Sequence, residues 1–114
     1  MLKLETQQNK DVTIVDVIGE DLDIETVKDF KAALYPILAA HHKLVFDLSR
    51  IQFIDSSGLG VFLTCLRAVN SKGGDLKLCG LSKSIRAIFE IVRLNKIFGI
   101  FETREDAAFA FEAA

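Results

Sequence analysis

The chain contains no tryptophan, one proline, two cysteines and two histidines, and each scarcity removes a class of function. Cys65 and Cys79 lie inside apolar segments, far from any Cys-x-x-Cys or Cys/His spacing, so neither a zinc site nor a disulfide scaffold has a basis here. Both thiols read as small core hydrophobes. Apolar runs are broken by Asp, Arg, Lys or Gly well before the roughly 18 residues that a membrane span needs. Met1 to Thr6 holds no long apolar leader, so the expected compartment is the cytoplasm. Charge of either sign is not in excess: 14 basic against 16 acidic residues leave a net charge of −2. That balance gives no field to draw in DNA, RNA or an anionic membrane. The basic residues are scattered from Lys3 to Arg104 without the aromatic interleaving of a stacking groove. Direct nucleic-acid or membrane binding is therefore not expected, and no metal ligand, cofactor site or catalytic residue is assigned.

What the chain does have is core-forming material. Half of its 114 residues are hydrophobic and 26% are charged, which suits one soluble core and one domain spanning 1–114. Leu2 to Gln8 and Val12 to Ile18 alternate as two strands around an Asn9-Lys10-Asp11 turn, giving a hairpin. Val27, Phe30, Leu34, Ile37 and Leu38 form the stripe of a helix starting near Ile24, with Asp23 as its cap and Pro36 as a source of a kink or an altered final turn. Lys43 to Leu48 reads as a buried strand, followed by a strand-to-loop segment through Ile54. Leu59, Phe62, Leu63, Leu66 and Val69 recur at helical spacing from Ser56 to about Ser71, where Gly73-Gly74 ends the helix. A strand around Leu76 and Leu78, a helix carrying Ile85, Ile88, Phe89 and Val92 that stops near Leu94, a strand over Ile97 to Phe101 and a short helix capped by Thr103 complete the chain. The order β-β-α-β-α-β-α-β-α predicts an α/β domain with one mixed or parallel-rich sheet.

The sharpest local feature is Phe53-Ile54-Asp55-Ser56-Ser57-Gly58-Leu59-Gly60, two hydroxyls between a strand-like segment and a helix. One reading is structural: Ser56 or Ser57 caps the helix, Gly58 and Gly60 permit close approach, and Leu59 anchors the first turn. The other reading is a modification site. A phosphate at a helix start gains backbone donors and a favourable dipole, yet adds about −1.5 to −2 charge beside Asp55 and near Asp23, changing any interface built there. Asp55 itself reads either as a loop hydrogen-bonding group or as one that orients the hydroxyl or a partner.

With Val45-Phe46-Asp47-Leu48 followed by this segment through Val61, the sequence resembles the STAS family, particularly its bacterial anti-sigma factor antagonists. The resemblance extends through Gly19 to Asp23, Gly73-Gly74 and Leu81 to Phe98. It implies a small sheet with helices packed mainly on one face and a phosphorylatable Ser56 at the start of the central helix, with Ser57 a structural neighbour. It also implies a partner surface at Asp23, Asp55, Ser56, Ser57 and Gly58. The partners it implies are an anti-sigma factor that is itself a serine kinase, bound by the unmodified protein, and a serine phosphatase that restores that state. Two departures stand out: the common Gly-x-Leu-Asp loop carries an extra residue in Gly19-Glu20-Asp21-Leu22-Asp23, and Arg93 replaces a glycine common before the later leucine.

Two other functions compete. One is a STAS-type interaction module in a signalling pathway that does not control a sigma factor. The other is a serine hydrolase, which would need His41 or His42 and an acid to converge on Ser56 with an oxyanion site; no nucleophile elbow surrounds that serine.

Overall fold

Alternation of side chains brings the first two strands together. The computed structural model describes residues 2–112, and in it β1 (Lys3–Asn9) and β2 (Val12–Ile18) pair antiparallel from Lys3↔Ile18 to Asn9↔Val12. Lys10 makes the turn at φ 58°. The chain continues as β3 (Asp21–Leu22), α1 (Val27–Ala40), β4 (Lys43–Asp47), β5 (Phe53–Ile54), α2 (Ser56–Asn70), β6 (Asp75–Cys79) and α3 (Lys83–Ile91). A 3-10 turn (Leu94–Lys96), β7 (Gly99–Phe101) and α4 (Arg104–Glu112) follow. The main sheet has the order β1-β2-β4-β6-β7, parallel everywhere except the first pair.

The sheet buries both faces, which is why β4 reads as a nearly continuous apolar run. On one face α1, α2 and α3 cover Val15, Val17, Leu44, Phe46, Leu76 and Leu78. Phe46 meets Phe30 and Phe62 edge-on at centroid distances of 6.4 and 5.5 Å, Phe62 leads to Phe89, and Phe89 to Phe98. Such pairs add about 0.5–1.5 kcal/mol each beyond burial of their area. On the other face α4 alone closes a smaller patch of Val12, Ile14, Val45, Cys79, Ala107 and Ala108. Its first turn is capped by Thr103, whose hydroxyl accepts from the Asp106 amide at 3.1 Å.

Several expectations need correction. Helix α1 begins at Val27; the preceding turn is capped by Asp23, whose Oδ1 accepts from the Glu25 and Thr26 amides at 3.0 and 3.1 Å. Pro36 leaves the final turn closed, since His41 N–H donates to Ile37 O at 3.0 Å. On α2 the buried side chains are Val61, Phe62, Cys65, Leu66 and Val69, while Leu59 and Leu63 are only partly covered. Val92 is exposed, and Arg93 takes the left-handed conformation (φ 64°, ψ 21°) that ends α3. The segment expected as a strand from Ile97 pairs only over Gly99–Phe101. One sheet was expected; β3 and β5 form a second, two-stranded one.

Two glycines are required by contact. A Cβ at Gly74 would lie 1.8 Å from His42 O, where the α2–β6 turn crosses the start of β4. A Cβ at Gly58 would lie 2.4 Å from Leu22 O.

Candidate functional site

Parallel strands place their following loops at one end, and the segments after β2 and β4 meet there. They are joined by the small sheet, with Asp21 opposite Phe53 and Leu22 opposite Ile54. Gln52 and Phe53 amides donate to Glu20 O at 2.8 and 3.1 Å, and the Asp55 amide donates to Leu22 O at 3.1 Å. Leu22 and Ile54 point inward, whereas Asp21 and Phe53 remain exposed.

Asp55 is the hinge pin of this junction. Its Oδ1 accepts the Ser57 and Gly58 amides of α2 at 2.9 and 3.1 Å, and its Oδ2 accepts the Ile24 amide at 3.1 Å. One carboxylate thus caps the central helix and ties the 19–26 loop to it. Ser56, the first residue of α2, is exposed; Ser57 is half-buried and Gly58 is buried under Leu22. Asp21 and Leu22 of the Gly19–Asp23 loop form the β3–β5 pairing, and the tie from Ile24 to Asp55 brings the Asp23 loop beside the start of α2.

The structure therefore gathers Asp23, Asp55, Ser56, Ser57 and Gly58 in one region. Sequence reading did not assign Ile24 or Phe53 to it, yet these are 71% and 51% exposed. The available signal was two large apolar residues in segments too short to bury them. Glu20, Asp21, Asp23, Glu25 and Asp55 give the region an acidic border. His41 and His42 lie at the opposite end of β4, where Asp75 N–H donates to His42 O, about 16 Å of strand away at the usual rise. The convergence that a serine hydrolase requires is not built at Ser56. Among the described residues no group of three or more His, Cys, Asp and Glu is arranged to hold a metal ion. No described helix is long and apolar enough to cross a membrane.

A second polar cluster lies under α4. Arg104 donates from Nε and Nη2 to Asp47 Oδ2 at 3.0 and 2.6 Å and from Nη1 to Gln7 Oε1 at 3.2 Å, with Asp16 Oδ2 3.7 Å away. Burial pushes the Asp47 carboxyl up, but bonds from Ser49 and the Arg104 guanidinium outweigh it and hold the group below its ordinary range. The bond to Asp47 in turn raises Arg104. Burial pushes both Cys65 and Cys79 up to about 12, leaving inert thiols at neutral pH.

An exposed serine opening the central helix, on a mixed five-stranded sheet with helices on each face, defines a small α/β domain class. The STAS domain model matches residues 3–107, and the chain belongs to this family. An anti-sigma-B factor antagonist of Staphylococcus epidermidis is 32% identical over 105 residues, covering 91% of this chain and 96% of that protein. The crystal structure of a putative anti-sigma factor antagonist from Thermotoga maritima superposes with a TM-score of 0.84 at 25% identity, over 94% of this chain and 92% of that one. SpoIIAA, a Bacillus cell fate determinant solved in its phosphorylated form, shares the fold with a TM-score of 0.72 at 23% identity, over 97% of this chain and 99% of that one.

Proposed function

We propose that this chain, acting as one domain over 1–114, is an anti-sigma factor antagonist. In its unmodified state it binds an anti-sigma factor that is a serine kinase, and so frees a sigma factor. The observation that carries the reading is the exposed Ser56 at the first position of α2, tied through Asp55 to the acidic 19–26 loop. Relatives named anti-sigma factor antagonists and the phosphorylated form of a protein of the same fold support it.

The chemistry belongs to the partner. Ser56 Oγ attacks the γ-phosphorus of ATP held by the kinase; the bond from that phosphorus to the ADP leaving oxygen breaks, and the hydroxyl proton passes to a base of the kinase. This chain contributes the hydroxyl and the docking surface: Asp23, Asp55, Ser56, Ser57 and Gly58, with Ile24 and Phe53 as apolar contacts. It needs no cofactor and works in the cytoplasm, without binding nucleic acid or membrane. Phosphate adds charge and hydration where the partner must approach closely, so the modified protein lets go while its core stays folded. A serine phosphatase reverses the state.

The test uses the purified anti-sigma kinase of the same organism. Incubation with ATP and phosphopeptide mass spectrometry should place the phosphate on Ser56, and Ser56→Ala should abolish it while retaining the circular dichroism of the wild type. Phosphorylation should weaken binding by at least about tenfold, or ~1.4 kcal/mol. Modification of Ser57 alone, or equal affinity of both forms in every nucleotide state of the kinase, overturns the reading.

A further inference from the structure

A phosphate joined to Ser56 sits within reach of the first-turn amides of α2, which are the natural donors for an anion at a helix start. Here the donors that follow Ser56's own amide are already committed. The amides of Ser57 and Gly58 are held by Asp55 Oδ1, and the Leu59 amide donates to Asp55 O at 3.0 Å. To take the first two, the phosphate must unseat a carboxylate that is covalently adjacent and carries the same sign of charge. Unseating it also breaks the bond from the Ile24 amide to Oδ2, the polar tie between the 19–26 loop and the Asp55 side chain. Hydrogen bonds to a charged acceptor are the strong ones, and here three of them depend on one side chain.

From this arrangement we infer that Asp55 is a positioning residue for the switch: it occupies the amides that the phosphate would otherwise take and so keeps a phosphate on Ser56 facing solvent. The protein then presents two states that share one backbone. The loop from Gly19 to Thr26 stays where it is, and a partner distinguishes the states by the phosphate itself. Capping of the phosphate by the helix, expected from the sequence, gives way to capping by Asp55. Removal of the Asp55 carboxylate frees the Ser57 and Gly58 amides, lets the phosphate fold back onto them and draws it away from the surface.

The inference rests on the proposed function only in taking Ser56 as the modified residue, and its test needs no kinase. Phosphoserine is installed at position 56 of the full chain during translation, in the wild type and in Asp55→Ala and Asp55→Asn. Phosphate titration is followed by phosphorus NMR and the backbone amides by proton–nitrogen NMR. A phosphoserine ordinarily takes its second ionisation near pH 6. In the wild type the neighbouring carboxylate should hold that ionisation above this value, with the Ser57 and Gly58 amides unresponsive to it. In Asp55→Ala it should fall by about one pH unit, as a group that loses a like charge and gains donors does, and both amides should move with it. Asp55→Asn keeps an acceptor without the charge; it should lower the ionisation while leaving the amides in place, and it serves if the alanine variant does not fold. Wild-type Ser57 and Gly58 amides that follow the phosphate overturn the inference, as does the same titration in all three proteins. Failure of the chain to bind any kinase would sink the proposed function and leave this result standing.

Discussion

Gly58→Ala and Gly60→Ala are one-atom insertions two residues apart in the same helix, and the structure assigns them opposite signs. At Gly60 nothing lies within 4 Å of the new Cβ, so alanine adds helix propensity and restricts the unfolded chain. The variant should gain about 0.5–1 kcal/mol. At Gly58 the Cβ meets Leu22 O at 2.4 Å, Ile54 Cγ1 at 2.9 Å and Leu22 Cβ at 3.0 Å. The first of these is backbone and cannot rotate away. Leu22 must retreat, which breaks the bond from the Asp55 amide to Leu22 O and strains the one from Ile24 to Asp55. Two bonds at about 1 kcal/mol each and overpacking of about 1–3 kcal/mol, less about 1 kcal/mol of propensity, leave a loss of about 2–4 kcal/mol. Urea unfolding followed by circular dichroism gives both values on one scale. The two variants should therefore bracket the wild type, about 2.5–5 kcal/mol apart. Near-identical midpoints, or a Gly58→Ala protein as stable as the wild type, would refute the close packing of the 19–26 loop on α2.

Arg93, Phe62 and Asp47 carry three further expected outcomes. Arg93→Gly should stabilise by about 0.5–1 kcal/mol, because a left-handed residue with a Cβ is strained by about 1–2 kcal/mol and glycine returns part of that as unfolded-state entropy; thermal melts beside Arg93→Ala, which keeps the strain, isolate the effect. Phe62→Ala should cost about 3–5 kcal/mol in equilibrium unfolding, whereas Leu63→Ala, at a partly covered position, should cost less than half as much. Asp47 has a lowered folded pKa, so its contribution is present above the ordinary carboxylate range and is lost as pH falls through the folded value. Arg104→Met should destabilise at pH 7 and shrink the stability difference between pH 7 and pH 3; an unchanged pH profile would show that Asp47 draws nothing from Arg104.

What could be read from the residues was whatever repeats. The hairpin and α2 carry periods of two and 3.6 over seven or more residues, β4 is a short, nearly continuous apolar run, and the segment from Phe53 to Gly60 places Ser56 at a strand-to-helix junction. The β3–β5 pair is two residues long on each side and has no period to detect, so the device that locks the loops together was invisible. The sequence supports two readings of Asp55, a loop or helix-start hydrogen-bonding group and a group that orients the hydroxyl or a partner; that its second oxygen reaches a residue 31 positions earlier is something spacing alone does not disclose. Leu63 fits a helical stripe as well as Phe62 does, but the packing of α1 turns the buried face toward Val61 and Cys65. The Asp47 and Arg104 pair joins residues 57 positions apart across the smaller face, beyond any local pattern.

The two cysteines fall one on each side of the main sheet. Cys65 is buried in the larger core where α2 faces α1, and Cys79 lies beneath α4 with Ala107 and Ala108. Neither thiol meets solvent while its layer is seated, and each becomes reactive only during an opening of that layer. Thiol labelling of single-cysteine variants therefore measures two separate equilibria in one small protein. The layer over Cys79 is a single nine-residue helix held by a small apolar patch, the Arg104 cluster and the exposed Lys10–Glu112 ion pair. Its detachment exposes far less apolar surface than global unfolding, so Cys79 should exchange by a local route at denaturant concentrations where Cys65 still waits for the whole domain to open.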